Sequence, residues 1–350
     1  MIGVDEKDAA SDRVSLPVAG PLSEFVAALL GGSPRDSDFT PREASDLVRH
    51  LGVDVVDPLG DDDLHLALYL CYEQHYRSFA GVDPDWEWSP GLLSIRAVLE
   101  EAFVDTLEQE VGRRAAVAPE EVGDFLFRLE EGDDGVSLSR RLEVDAGIDE
   151  FREFVVHRSL YQLKEADPHS WAIPRLAGAP KTALLEVQGD EYGGGRPDRM
   201  HSVLFAKTMR ALGLDDRENA YLSFVPGPTL ATVNMMSAFG LRRRRRGAIV
   251  GHLAMFEMTS ARPNRRYGNA LRRLGFDREA TDFYDEHVEA DAVHENIAAY
   301  DLAGGLARAE PELAGDIVFG ARALLELEDR FARHLLGAWE EGETSLRRPL

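Results

Sequence analysis

Apolar residues recur every three or four positions along most of the chain, and strict alternation is nearly absent. That period places the apolar residues on one face of a helix, so the expected fold is all-α, a helical bundle. In the first third, helical patterns over residues 22–30, 41–51, 63–79 and 90–111 are separated by turn-rich stretches at 31–37 and 81–89. A more irregular piece follows, with a turn at 132–135. From about residue 146 to 340 the helical period dominates. Helices are expected over 149–166, stopping before Asp167-Pro168, and over 181–191, ended by three consecutive glycines. Further helices are expected over 198–212, 230–239, 249–259, 265–274, 278–306 and 316–336. No internal repeat is visible. The change of character suggests an N-terminal helical region, residues 1–125, followed by a main bundle over 126–345.

Composition narrows the function. At 350 residues and 44% hydrophobic, the chain can bury a sizeable core. No apolar run is long enough to span a bilayer, and the first residues lack the basic-then-apolar pattern of a secretory signal. Cys71 is the single cysteine, which excludes an intrachain disulfide and a thiolate metal cage, and suits the cytoplasm. A net charge of −24 repels phosphate backbones, so nucleic acid is not an expected partner. Arg242 to Arg246 form a local exception, read as a solvated helix start in preference to an anion-binding lip.

Several acidic residues and histidines fall in apolar settings. His287, Asp291 and His294 stand at i, i+4 and i+7 and share one helix face with Phe283 and Ala298. Two imidazoles and a carboxylate on one stripe suit iron, although an acidic surface helix with incidental histidines fits the spacing too. Glu257 continues the apolar face of Ile249 and Leu253, and a buried carboxylate there needs a metal or an arginine. His252 reads as a satisfied core histidine or a support to a site. Phe154, Arg158, Tyr161 and Glu165 make one face ending in a carboxylate. Glu186, Asp190 and Glu191 precede the glycines, and the sequence leaves open which of them points inward. Glu191 and His201 flank the glycine turn. Glu73 and His75 lie two residues apart, so they diverge on a helix and read as structural or dimer-interface residues. Phe79, Trp86 and Trp88 are expected to pack the N-terminal helices, with the two tryptophans as candidate dimer anchors. Ferritin-like sites repeat Glu-x-x-His, which is missing here, so a different helical fold is needed.

Four segments together resemble the haem-oxygenase-like diiron oxidases: HRSLYQLKEADPH at 157–169, GDEYGGG at 189–195 with His201, FEMTS at 256–260, and His287…Asp291…His294. The resemblance covers roughly the last 200 residues. It implies a haem-oxygenase-like helical bundle with an N-terminal extension that supports a homodimer. The family's ligand order, Glu, Glu, His, Glu, His, Asp, His, falls on Glu165, Glu191, His201, Glu257, His287, Asp291 and His294.

The resemblance further implies two Fe2+ ions as cofactor, O2 as co-substrate, a small-molecule substrate and an external electron donor. The expected activity is that of a non-haem diiron oxygenase acting on an amine or guanidine-like nitrogen. The alternative is C–H abstraction by the same cofactor, giving desaturation, oxidative decarboxylation or C–C fragmentation of an amino or fatty acid. Haem oxygenation would need one proximal histidine and no carboxylate set, and a purely structural bundle would need neither.

Overall fold

Capping groups and positive-φ turns set the helix boundaries. In a computed structural model, residues 15–36, 40–51, 55–112, 116–132 and 135–350 are described, the side chains of 291–293 excepted. The N-terminal helices are α1 (Pro21–Leu30), α2 (Pro41–Leu51), α3 (Asp62–Glu73), α4 (Pro90–Val111) and α5 (Val122–Glu131). Then come α6 (Leu138–Val144), α7 (Ile148–Gln162), α8 (Asp167–Ser170), α9 (Gly178–Glu191), α10 (His201–Ala211) and α11 (Gly227–Gly240). The long α12 (Arg246–Arg273) and α13 (Arg278–Asn296) follow, then a π-helical turn Ile297–Ala303, α14 (Gly304–Ala309) and α15 (Ala314–Glu340). The fold is all-α, and no strand occurs among the described residues. Asp61 caps α3 by accepting from Leu64 N–H at 2.7 Å, and Asp277 caps α13 by accepting from Glu279 N–H at 3.0 Å.

Several expected boundaries shift. The patterns over 249–259 and 265–274 are one helix, α12, which runs through Pro263. Proline removes one i→i−4 bond there, but burial on both sides of it, from Ile249 to Met258 and again at Asn264, Gly268 and Leu271, keeps the axis continuous. α7 stops at Gln162 rather than 166, and residues 163–166 form a turn with Ala166 at φ 75°. α3 ends at Glu73 rather than 79, before Ser78 at φ 58°. The irregular piece after 111 contains α5 and the seven-residue α6.

α12 and α15 are the axial pair. They cross so closely that a Cβ on Gly251 would overlap the Ile317 carbonyl, and one on Gly320 would overlap that of Ala248. α13 packs along α12, and α10 along α13, while α6 covers the C-terminal half of α12. α3 lies on α11, so residues of α1, α3 and α4 join one apolar cluster with α11, α12 and α15. A second cluster joins α6, α7, α10, α13 and the end of α15 around Phe151, Phe205 and Phe283. Trp86 is fully buried and donates its indole N–H to the Gly32 carbonyl at 3.3 Å, so it is a core residue and not a dimer anchor. Trp88 is 63% exposed. Of the arginine run, Arg242 pairs with Glu100 at 2.8 Å, Arg245 with Glu108 at 2.6 Å and Arg246 with Glu310, which makes it an ion-paired helix start. No helix among the described residues is long and apolar enough to cross a membrane.

Candidate metal centre

One turn and four helix ends or faces bring six of the expected residues together. Glu165 comes from the turn after α7, not from the helix face its spacing suggested. Glu191 is the last residue of α9 and His201 the first of α10. Between them Gly193, Gly194 and Gly195 all take positive φ, and Gly193 lies so close to the backbone of Arg199 and Met200 that a Cβ would clash. This turn folds the chain back so that Glu191 and His201 face each other. Glu257 comes from the middle of α12, and His287 and His294 from α13. Of the three acidic residues left open on α9, Glu191 is buried, while Glu186 and Asp190 are exposed.

Two donor groups result. In the first, one ligand atom each from Glu165, Glu191, His201 and His287 lies within 4.8 Å of the others. In the second, the same holds for Glu191, Glu257 and His294. Glu191 belongs to both. His287 and His294 therefore serve different groups, two helical turns apart, where the sequence face suggested a single point. Asp291 falls between them, and its side chain lies outside the described residues.

The imidazole bonds fix which nitrogen each ring offers. His287 Nδ1–H donates to the Phe283 carbonyl at 2.8 Å, so Nε2 carries the lone pair, 3.6 Å from Glu165 Oε1. His294 Nε2–H donates to Asp190 Oδ2 at 3.0 Å, which leaves Nδ1 facing Glu257 Oε2 at 3.3 Å. Asp190 thus orients His294 from outside, as carboxylates behind metal-bound histidines do. Phe283 packs edge-on to His201 and tilted against His287, and the two imidazoles are 4.3 Å apart between centroids.

Burial and electrostatics test whether these residues fit a cation. All six residues are at most 7% exposed. Burial raises the carboxyl of Glu165 above its ordinary range, with His287 only partly offsetting it, and burial likewise raises Glu257. Burial also pushes against ionisation of Glu191, but His201, His287 and His294 outweigh it and hold its carboxyl down at about 2. His294 is raised to about 9 because Glu257 and Asp190 outweigh its desolvation. Both oxygens of Glu165, one oxygen each of Glu191 and Glu257, and Nδ1 of His201 and His294 have no hydrogen-bond partner. Even His201 Nδ1 and Glu191 Oε2, 3.0 Å apart, are not aligned as donor and acceptor. Buried polar atoms are nearly always bonded, so a cluster of orphans aimed at one space fits cations. Donors about 2.1 Å from an ion stand up to roughly 4 Å apart, close to the separations here. The set is nitrogen and oxygen only, which suits iron and similar divalent metals.

A cavity of 540 Å³ is lined by residues that flank several donors in sequence, though by none of the six donors themselves. Its wall includes Gln162, Phe256, Met258 and Glu295, each near a donor residue in sequence, and its outer part carries Arg262 and Arg266. Arg158 and Glu328 form a two-pronged pair in it, at 2.8 and 2.6 Å. Sequence reasoning missed His169, which is buried and hydrogen-bonded to His252 at 3.0 Å. That bond makes His252 a satisfied core histidine. Glu73 and His75 also find internal partners, Lys164 at 2.5 Å and Arg96 respectively.

The profile of the family described as "Iron-containing redox enzyme" matches residues 152–329. The chain is 27% identical over 191 residues to a "Nitrosourea synthase" from Streptomyces achromogenes subsp. streptozoticus. That alignment takes in 53% of this chain and 40% of the relative, so the chain spans well under two thirds of the relative's length. Among solved structures, a CADD-like protein of unknown function from Nostoc punctiforme PCC 73102 aligns at TM-score 0.48 and 16% identity. It covers 61% of this chain and 97% of the other.

Proposed function

From the premise that this chain belongs to the iron-containing redox enzyme family, and is thereby an oxidoreductase, we propose that it is an O2-dependent non-haem diiron oxygenase. Its proposed substrate is the amine or guanidine-like nitrogen of a small metabolite. The observation that carries the diiron reading is the pair of donor groups sharing Glu191, lined by buried atoms without partners. Glu165, His201 and His287 would hold one ion, and Glu257 and His294 the other, with Glu191 between. Asp291 is proposed to complete the second position. When bound, the two ions supply electrons for O2 reduction, and an external donor must restore them between turnovers.

The chain's own residues do the rest. Asp190 and the Phe283 carbonyl fix the imidazole tautomers. Phe205 and Phe283, in edge-on contact, back the histidines with apolar surface that keeps water out. The cavity lined by Met258 and Glu295 is of metabolite size and carries Glu130, Glu295, Glu328 and Asp329 as well as three arginines. Such a wall favours a polar, charged substrate over a fatty acyl chain, because an apolar chain would displace water from these half-exposed charges without replacing its hydrogen bonds. The N-oxygenation reading draws on the relative named as a nitrosourea synthase. The homodimer remains part of the proposal, with exposed Trp88 as the aromatic contact on residues 1–125.

The test is oxidation by ¹⁸O2 of a panel of amines, guanidines and fatty acids with the reduced, iron-loaded protein. Label on nitrogen, as hydroxylamine, N-hydroxyguanidine or nitro product, is expected. A new alkene or loss of CO2 without a labelled N–O bond would overturn N-oxygenation in favour of C–H abstraction.

A further inference from the structure

Lys164 and Glu165 are neighbours in the turn after α7, yet their side chains serve opposite sides of it. Glu165 enters the first donor group. Lys164 enters the N-terminal helices, where its ammonium stands 4.6 and 4.7 Å from the ring centroids of Tyr69 and Tyr76. There it donates to Glu73 Oε2 at 2.5 Å and to the Tyr69 hydroxyl at 3.1 Å. Glu73 is 1% exposed and Lys164 6%. The cluster extends outward: Tyr69 O–H donates to Asn219 Oδ1 at 2.6 Å, and Tyr76 and Ser237 hydroxyls are bonded at 3.0 Å. So α3, the ligand turn, the segment before α11 and α11 itself meet at one buried ion pair.

A buried ion pair is a poor source of net stability, because desolvation of both charges offsets their attraction. Its directional effect is large, since either charge left alone in that interior is costly. The turn needs such direction. Ala166 holds a left-handed φ of 75°, unusual for a residue with a Cβ, and Glu165 has no hydrogen bond to either oxygen to set its aim.

We infer that Glu73, on α3, is a positioning residue for the metal centre: through Lys164 it pins the turn that presents Glu165. This rests on the reading of Glu165 as a ligand and gives the N-terminal helices a role in the site beside any part in assembly. The neighbouring Glu165 carboxylate is set by a tether from the far side of its own backbone.

The test uses Co2+ binding to the full-length metal-free protein, read by stoichiometry, affinity and the cobalt visible spectrum. Wild type is compared with the double variant Glu73→Leu/Lys164→Met, which replaces both charges by apolar groups. A melting temperature at or above that of wild type is expected, together with a tenfold or greater loss of affinity at one of two sites and an altered spectrum there. A folded double variant with wild-type affinity and spectrum would overturn the inference and leave the pair a packing feature. If the double variant does not fold, Glu73→Gln keeps the shape and a weaker bond to Lys164. A several-fold loss at the same site is then expected, and unchanged binding overturns it. Failure of wild type to bind Co2+ at all would instead overturn the ligand reading on which the inference rests.

Discussion

At Glu191 the burial of one carboxylate is opposed by three imidazoles, and that balance organises the pocket. Removing it should therefore cost more metal than removing any other donor. Glu191→Ala is expected to lose both ions, whereas Glu257→Ala should keep the ion between Glu165, His201 and His287; metal content after anaerobic loading and desalting checks this. Glu165 behaves differently without metal, since both its oxygens are orphaned. Glu165→Gln should raise the stability of the metal-free protein by about 1–2 kcal/mol, because a neutral amide is easier to bury. A lower melting point for the metal-free variant would mean Glu165 already has a stabilising partner. Asp190→Asn should weaken the His294 position by about tenfold while leaving the other unaffected. Much of the clustering was legible in the sequence: the apolar face of Glu257 and the shared stripe of His287 and His294 point inward, and all three side chains are buried. Asp190 was not, because an exposed carboxylate beside a buried one looks like surface until the ring behind it is seen. The Glu73–Lys164 pair was equally invisible, being 91 residues apart in sequence.

Helices of the N-terminal part were readable almost to the residue where turn chemistry is sharp, as with Pro41–Leu51 and Pro90–Val111. The errors came where tertiary burial overrides a local signal. Residues 249–259 and 265–274 read as two helices, yet α12 continues from one to the other through Pro263, packed against α13 and α15. Glu165 reads as a helical residue, yet α7 ends early so that Lys164 and Glu165 can point apart. The axial crossing makes a clear prediction. Gly251→Ala places a methyl into the Ile317 carbonyl and should destabilise by more than about 3 kcal/mol. Gly337→Ala, in α15 but with nothing within 4 Å of the added Cβ, should stabilise by up to about 1 kcal/mol. Urea unfolding of both variants checks the pair, and a neutral Gly251→Ala would mean that the two helices do not cross there.

Across the whole molecule, acid sensitivity should come from buried neutral histidines as well as from the centre. Burial lowers His65 to about 3, although the Pro58 carbonyl at 3.0 Å works against it. Unfolding releases that ring to an ordinary pKa near 6.5, so the unfolded chain binds more protons between those limits. The contribution of His65 is thus complete above about pH 6.5 and is lost as the pH falls towards 3. His65→Asn should flatten the acid slope of stability by up to about 1.4 kcal/mol per pH unit between pH 6 and 4.5. Urea midpoints measured across that range read the slope, and equal slopes in variant and wild type would place His65 in contact with solvent. The central claim, that two iron ions sit between these helices and share Glu191, is tested most directly by iron-edge anomalous diffraction from anaerobically loaded crystals. The account predicts two peaks about 3.5–4 Å apart, one against Glu165, His201 and His287 and the other against Glu257 and His294. A single peak, or iron bound away from these six side chains, would contradict it.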